Sequence, residues 1–216
     1  MNSSVIQIVV LAGIAVFLIL KLRSVLGTRE GYEPTALPSD DAKPRPKFDV
    51  VEGGLDRDIS DNTTDPASTQ ALSAMKSADP AFSVTDFLKG ARAAYEMILM
   101  AFDKGDMDKI RPFLGPDVAT TFSAALADRI QQGLTITSSF GGVRDLTLTE
   151  ATYDPATKLA QIDVRFGAEL TRTVRDANGA VVEGNANTIL RQRDTWTFAR
   201  TMGTADPNWH LAATSD

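Results

Sequence analysis

The sequence predicts an α+β domain, about three helices packed on the concave face of a curved antiparallel sheet, behind one N-terminal transmembrane helix. Three observations predict it. A predominantly apolar run fills residues 4–23. The spacing of apolar residues is helical from Phe87 to Ile130 and switches to alternation after Gly133. Proline-rich, acidic sequence separates the run from the first periodic stretch.

The run from Val5 to Leu22 is apolar except for Gln7 and Lys21. As a helix, eighteen residues rise roughly 27 Å, close to the thickness of a bilayer's hydrocarbon core. No basic residue precedes it in Met1-Asn2-Ser3-Ser4, and Lys21, Arg23 and Arg29 follow it. That pattern predicts an uncleaved anchor rather than a secretory signal. The flanking cations place the N-terminus outside and the remainder in the cytoplasm, so the expected location is the inner (cytoplasmic) membrane, single-pass.

Residues 24–80 read as a flexible acidic linker. Pro34, Pro38, Pro44, Pro46, Pro66 and Pro80 interrupt them, and low hydrophobicity with net negative charge predicts disorder. Within it, Ala71, Leu72, Ala74, Met75 and Ala78 are spaced for a turn or two of helix. That piece is either a marginal helix in a tether or a docking peptide for a partner. The globular domain is expected over 81–216.

Ser83-Val84-Thr85-Asp86 has the form of a capping box, with Asp86 where Glu or Gln is usual. Phe87, Ala91, Ala94/Tyr95, Ile98 and Ala101/Phe102 then recur every three to four residues along one helical face. Gly105-Asp106 ends that helix, and 107–114 reads as a short second one. Gly115-Pro116 opens a third, with Pro at its first position and an apolar face of Val118, Phe122, Ala125/Leu126 and Ile130. Gly133 stops it.

Alternation follows. Leu134, Ile136 and Phe140 mark one strand, Leu146 and Leu148 a second, and Asp154-Pro155-Ala156-Thr157 a turn. Ala160, Ile162, Val164, Phe166, Ala168 and Leu170 then face one way, with Gln161, Asp163, Arg165, Glu169 and Thr171 opposite. This is a strand of an antiparallel sheet wet on one side. Asn178-Gly179 supplies a hairpin turn, and 189–200 and 208–213 complete the sheet.

Composition excludes several chemistries. With no Cys there is no disulfide framework or thiolate metal site, and with one His there is no His-cluster site. No metal and no cofactor are expected. A net charge of −6 with no basic run argues against nucleic acid. The acidic segment 103–108 lacks the ligand spacing of a calcium loop and reads as caps. His210 falls on the wetter face of the last strand, opposite Trp209, Leu211 and Ala213.

On the strand 188–200, Trp196 and Phe198 point toward the helices, which puts Gln192 and Asp194 on the same side. A carboxylate there is either a general base in an apolar pocket or a structural group held by hydrogen bonds. No second acid or nucleophile accompanies it, so no catalytic residues are assigned. An apolar pocket, if open, is lined by Tyr95, Phe122, Phe166, Trp196, Phe198 and Trp209.

Four stretches together resemble one family. They are 87–98 with 101–106, which hold Gly90, Ala91, Phe102, Gly105 and Asp106; 175–184, opening on Arg175-Asp176; 194–200, starting at Asp194; and 206–214, starting at Asp206-Pro207-Asn208. In this order they resemble the Tim44-like domain family, the membrane-proximal domain of the mitochondrial import-motor anchor, over about 82–214. The anchor and acidic linker are similar to the alphaproteobacterial members. The resemblance implies a nuclear-transport-factor-2-like cone and a non-enzymatic adaptor that contacts anionic lipid. The sequence departs from the mitochondrial relative in its long chaperone-binding N-terminal region, and a bacterium has no such translocase, so the resemblance does not imply the import role itself.

The expected function is therefore a membrane-tethered adaptor or assembly factor whose domain binds an inner-membrane protein complex, whether translocation, chaperone-linked or respiratory. The alternative is a small-molecule or lipid-binding enzyme of the same fold with Asp194 as base. Oligomeric state is left open by the sequence.

Overall fold

The computed structural model describes residues 56–215. The predicted membrane helix at 4–23 and the first part of the predicted linker lie outside these residues. Among the described residues, no helix is long and apolar enough to cross a membrane.

Residues 56–80 are not a linker. They form a short helix α1 (Arg57–Ser60) and a second helix α2 (Pro66–Ala78) that belong to the domain. The residues read as breakers are start signals. The Asp65 carboxylate accepts the Ser68 N–H at 2.7 Å, and Pro66 occupies the first turn, where its missing N–H costs nothing. Leu72 and Met75 are fully buried, and α2 packs on the first strand. Burial of these side chains repays the chain entropy that composition alone suggested was unpaid. Asp58 fastens the segment to the next helix. It accepts the N–H groups of Val84 and Thr85, both at 2.8 Å, the Ser83 hydroxyl, and the Lys76 ammonium at 2.7 Å.

The long helix α3 (Val84–Lys104) starts on the Ser83 hydroxyl, which accepts the Asp86 N–H. It ends at Gly105, whose φ of 81° is the left-handed cap that glycine adopts without strain. A one-turn helix α4 (Met107–Ile110) and a 3₁₀ turn (Arg111–Phe113) lead to α5 (Pro116–Gln131). The predicted apolar face of α5 drifts off the core. Val118 is buried and Phe122 and Leu126 are half-buried, but Ala125 is exposed and Ile130 is 68% exposed.

Four strands follow in a plain antiparallel meander, β1 (Thr135–Asp154), β2 (Leu159–Arg175), β3 (Val181–Thr201) and β4 (His210–Ser215). The two strands expected before Asp154 are one. Gly141-Gly142 forms a bulge rather than a turn, with register shifts between Phe140 and Gly142 and again near Asp145 and Glu150. A Cβ on Gly141 would stand 2.9 Å from the Glu169 carbonyl oxygen, which explains the glycine. The alternation predicted for β2 holds, with its six apolar residues no more than 2% exposed. In β4 a register shift beside Ala212 breaks the predicted face, burying Leu211 and exposing Ala213, while His210 is half-buried.

Candidate functional site

Half of the predicted pocket is solid core. Tyr95 and Phe166 are fully buried and stack at 4.4 Å with 15° between their planes, and Trp196 lies 4.6 Å from Tyr95. Each such aromatic pair adds about 0.5–1.5 kcal/mol beyond burial, and their contact leaves no open space between these rings. Phe122 sits elsewhere, 4.6 Å from Phe102, whose ring also carries the Arg129 guanidinium at 5.6 Å. These four residues do not line one cavity with the others.

Phe198 and Trp209 do share an open pocket, with partners the sequence reading assigned to the core or passed over. Phe82, Phe87 and Phe113 complete its aromatic wall, and its volume is about 410 Å³. Trp209 lies 4.7 Å from Phe87 and 5.8 Å from Phe82, and Phe87 meets Phe198 edge-on at 5.8 Å. Phe82 immediately precedes the N-cap Ser83, and Phe87 is four residues after it. Apolar residues at those two positions form the hydrophobic staple of a helix start. That staple was the sequence signal for this wall, and it continues into the pocket.

The opposite wall is held by polar bonds. The Asp206 carboxylate accepts the Asn208 backbone N–H at 2.9 Å and its side-chain amide at 2.7 Å. The Asn208 backbone bond is the main reason the Asp206 carboxyl is held below its ordinary range. Arg200 donates to the Asp206 carbonyl oxygen at 3.2 Å and is ion-paired with Asp79 at 2.7 Å. Together these fix the turn that carries Pro207 and Trp209 across the pocket mouth. On the other side the mouth opens at Gly90, where an added Cβ would meet nothing within 4 Å.

The motif residues fall into separate places. Gly90, Ala91, Pro207 and Asn208 line the pocket. Phe102, Gly105 and Asp106 form the end of α3 and its cap. Arg175 and Asp176 build the β2–β3 turn, where the Asp176 carboxylate accepts the N–H groups of Asn178 and Ala180, both at 2.9 Å, and Arg175 donates to the Gly179 carbonyl.

Asp194 lies in the core, 7% exposed. The Tyr95 hydroxyl donates to it, and the Gln192 amide donates to both of its oxygens at 2.8 and 3.1 Å. Burial, and then the bond to Asp194, push the Tyr95 hydroxyl well above its ordinary value. A carboxylate committed in this way holds its neighbours in place.

A second buried charge, Asp103, accepts from Arg172 at 2.9 Å and from the Ser138 hydroxyl, joining α3 to β1 and β2. Burial lowers the neighbouring Arg129 guanidinium, the Asp103 carboxylate working against that shift and Arg172 adding to it. Among the described residues, no group of three or more His, Cys, Asp or Glu side chains is placed to hold a metal ion.

Residues 68–216 match the family model described as Tim44-like domain. That match begins inside α2, consistent with α2 belonging to the domain. No curated protein matches the chain. Among solved structures, the "Crystal structure of intermembrane space region of chloroplast protein ARC6" aligns with a TM-score of 0.40 at 13% identity, covering 59% of this chain and 94% of that one.

Proposed function

We propose that this chain, which belongs to the Tim44-like domain family, works as a membrane-anchored adaptor whose folded unit docks on an inner-membrane protein complex through the pocket beneath Trp209. One observation carries the reading. Motif residues more than a hundred positions apart, Gly90-Ala91 and Pro207-Asn208, converge on one open aromatic pocket. A cavity of 410 Å³ is of the size that ligand sites have, and it admits one or two bulky apolar side chains of a partner. Aromatic walls desolvate such a side chain and act as an anchor point. Its polar rim, Ser83, Asp86 and Asn208, gives orientation.

The rest of the reading is supported by sequence. The apolar run at 4–23 anchors the chain in the inner membrane, and Lys21, Arg23 and Arg29 orient the folded unit to the cytoplasmic side. Confinement to the membrane keeps the domain near complexes embedded in the same bilayer, so modest affinity suffices.

Gly90→Trp is the direct test. Nothing lies within 4 Å of a Cβ at that position, so a side chain leaves the helix there without backbone strain and an indole is placed at the mouth. Full-length protein carrying it is expected to melt at the wild-type temperature yet fail to recover the membrane complex in mild detergent. A variant that melts normally and recovers the same complex in the same yield would defeat the proposal.

A further inference from the structure

β1 is an outer strand of the sheet, and the described residues cover only part of its free edge. Along the second half, α2 packs on the strand and the Ser68 hydroxyl accepts the Ala151 N–H at 3.0 Å. At the bulge, Arg92 donates to the Val143 carbonyl at 2.7 Å. Over 135–140, among the described residues, the only backbone partners are those of β2. Alternate residues there present an N–H and a C=O outward with no partner among the described residues, which is the template for an added strand.

A groove of about 600 Å³ runs beside this bare edge, between β1 and the exposed flank of α3. Met97, Met100 and Phe140 line it, all half-buried. Methionine side chains adapt to differing apolar shapes. Glu96 stands toward one end, and Lys104 and Lys109 with Asp106 between them at the other, which leaves that end with one net positive charge; among the described residues none of the four is ion-paired. The eight helical steps from Glu96 to Lys104 span about 12 Å, the length of about four extended residues.

The groove also has a direction. Arg92 reaches Val143 and Asp103 reaches Ser138, so α3 runs antiparallel to β1. A strand added antiparallel to β1 therefore runs along α3, with its C-terminal end at the two lysines. We propose that residues 135–140 and this groove form a second docking site, separate from the aromatic pocket, for an extended segment of a partner protein. That segment has apolar residues at alternate positions, which enter between Met97, Met100 and Phe140, and a carboxylate at its C-terminal end beside Lys104 and Lys109. Unpaired amide groups select a peptide over a lipid chain, which has no complementary donors. A second bare stretch of edge, along β3, is less suited, because 186–189 loop out of register opposite Thr171.

Selection of phage-displayed random heptapeptides on the full chain in mild detergent tests this. Enriched peptides are expected to alternate apolar and polar residues and to end in Asp or Glu. The best of them, synthesised, is expected to slow amide hydrogen exchange at 135–140. Met100→Lys is expected to weaken its binding at least tenfold. Lys104→Glu with Lys109→Glu, both at exposed positions, is expected to turn the preference to a basic C-terminal end. The proposal is overturned by a selection that enriches nothing or enriches helically spaced peptides, or by protection that falls around Trp209 instead. It is equally overturned if 135–140 become protected on raising the protein concentration without peptide, which identifies a second copy as the occupant.

Discussion

Replacing Tyr95 by Phe isolates the buried Tyr95–Asp194 bond, because the ring stays and only the hydroxyl goes. The ring keeps its stacking on Phe166 at 4.4 Å, so no cavity forms. What is lost is one hydrogen bond to a carboxylate that is 7% exposed, leaving Gln192 as its remaining side-chain donor. A bond of that kind is worth about 1.5–3 kcal/mol. At 2 kcal/mol the melting temperature falls by about 4–8 °C for a domain of this size. The loss should also depend on pH in a defined direction. Burial and the Asp194 bond hold the folded-state Tyr95 hydroxyl above its ordinary value of 10.0. A raised value of this kind contributes stability that is complete below the unfolded value and is lost as pH rises above it. Above about pH 10 the wild type is therefore expected to lose about 1.4 kcal/mol per pH unit that the Phe variant does not lose. The gap between the two, full at pH 8, should nearly close by about pH 11.5. Thermal melts by circular dichroism on full-length protein in detergent, from pH 8 upward, measure this. A gap that stays constant through pH 11, or a Phe variant as stable as wild type at pH 8, refutes the reasoning.

Two further variants probe the N-terminal part of the folded unit. Asp58→Asn keeps the shape but removes the charge that receives Val84, Thr85 and Lys76, and is expected to cost about 1–2 kcal/mol at pH 7. Burial pushes the Asp58 carboxyl up, but Lys76, Thr85 and Val84 pull it well below 3.8 in the folded state. Its contribution is therefore present above that value and lost as pH falls below it, and the variant's acid unfolding between about pH 4 and 2 should be flatter than the wild type's. Leu72→Ala, at a fully buried position of α2, is expected to cost about 2–5 kcal/mol in urea unfolding. An unchanged midpoint would return 56–80 to the status of a tether.

The parts of the fold readable in the sequence were those where one face alone decides the pattern. β2 is buried on one side and wet on the other along most of its length, so its alternation is uninterrupted. The face of α3 follows the same logic. The misreadings share another cause, that one residue type serves two opposite purposes. Pro66 and the acidic residues of 24–80 read as marks of a linker, yet Asp65 and Pro66 start α2 and Asp58 clamps α1 to α3. Two strands were expected where β1 is one, because the Gly141-Gly142 bulge and a turn both call for residues without side chains, and only the partner strand tells them apart. Ile130 read as core because periodicity says nothing about how far a neighbouring element reaches.

The pocket was harder to read for a more general reason. Its wall combines the start of α3, the turn before β4 and the end of β3, which no local window contains together. Large aromatics drew attention to the centre of the sheet, where Tyr95, Phe166 and Trp196 fill the space against one another. An open site needs the opposite, a place where a side chain is missing beside rings that cannot close over the gap. Gly90 is that place. A glycine inside a helix costs about 1 kcal/mol relative to alanine, and no left-handed backbone angle requires it there. Nor does a close neighbour, since a Cβ would fit freely. With folding giving no reason for the glycine, the space above it is what the position supplies, and filling that space is the change expected to separate docking from stability.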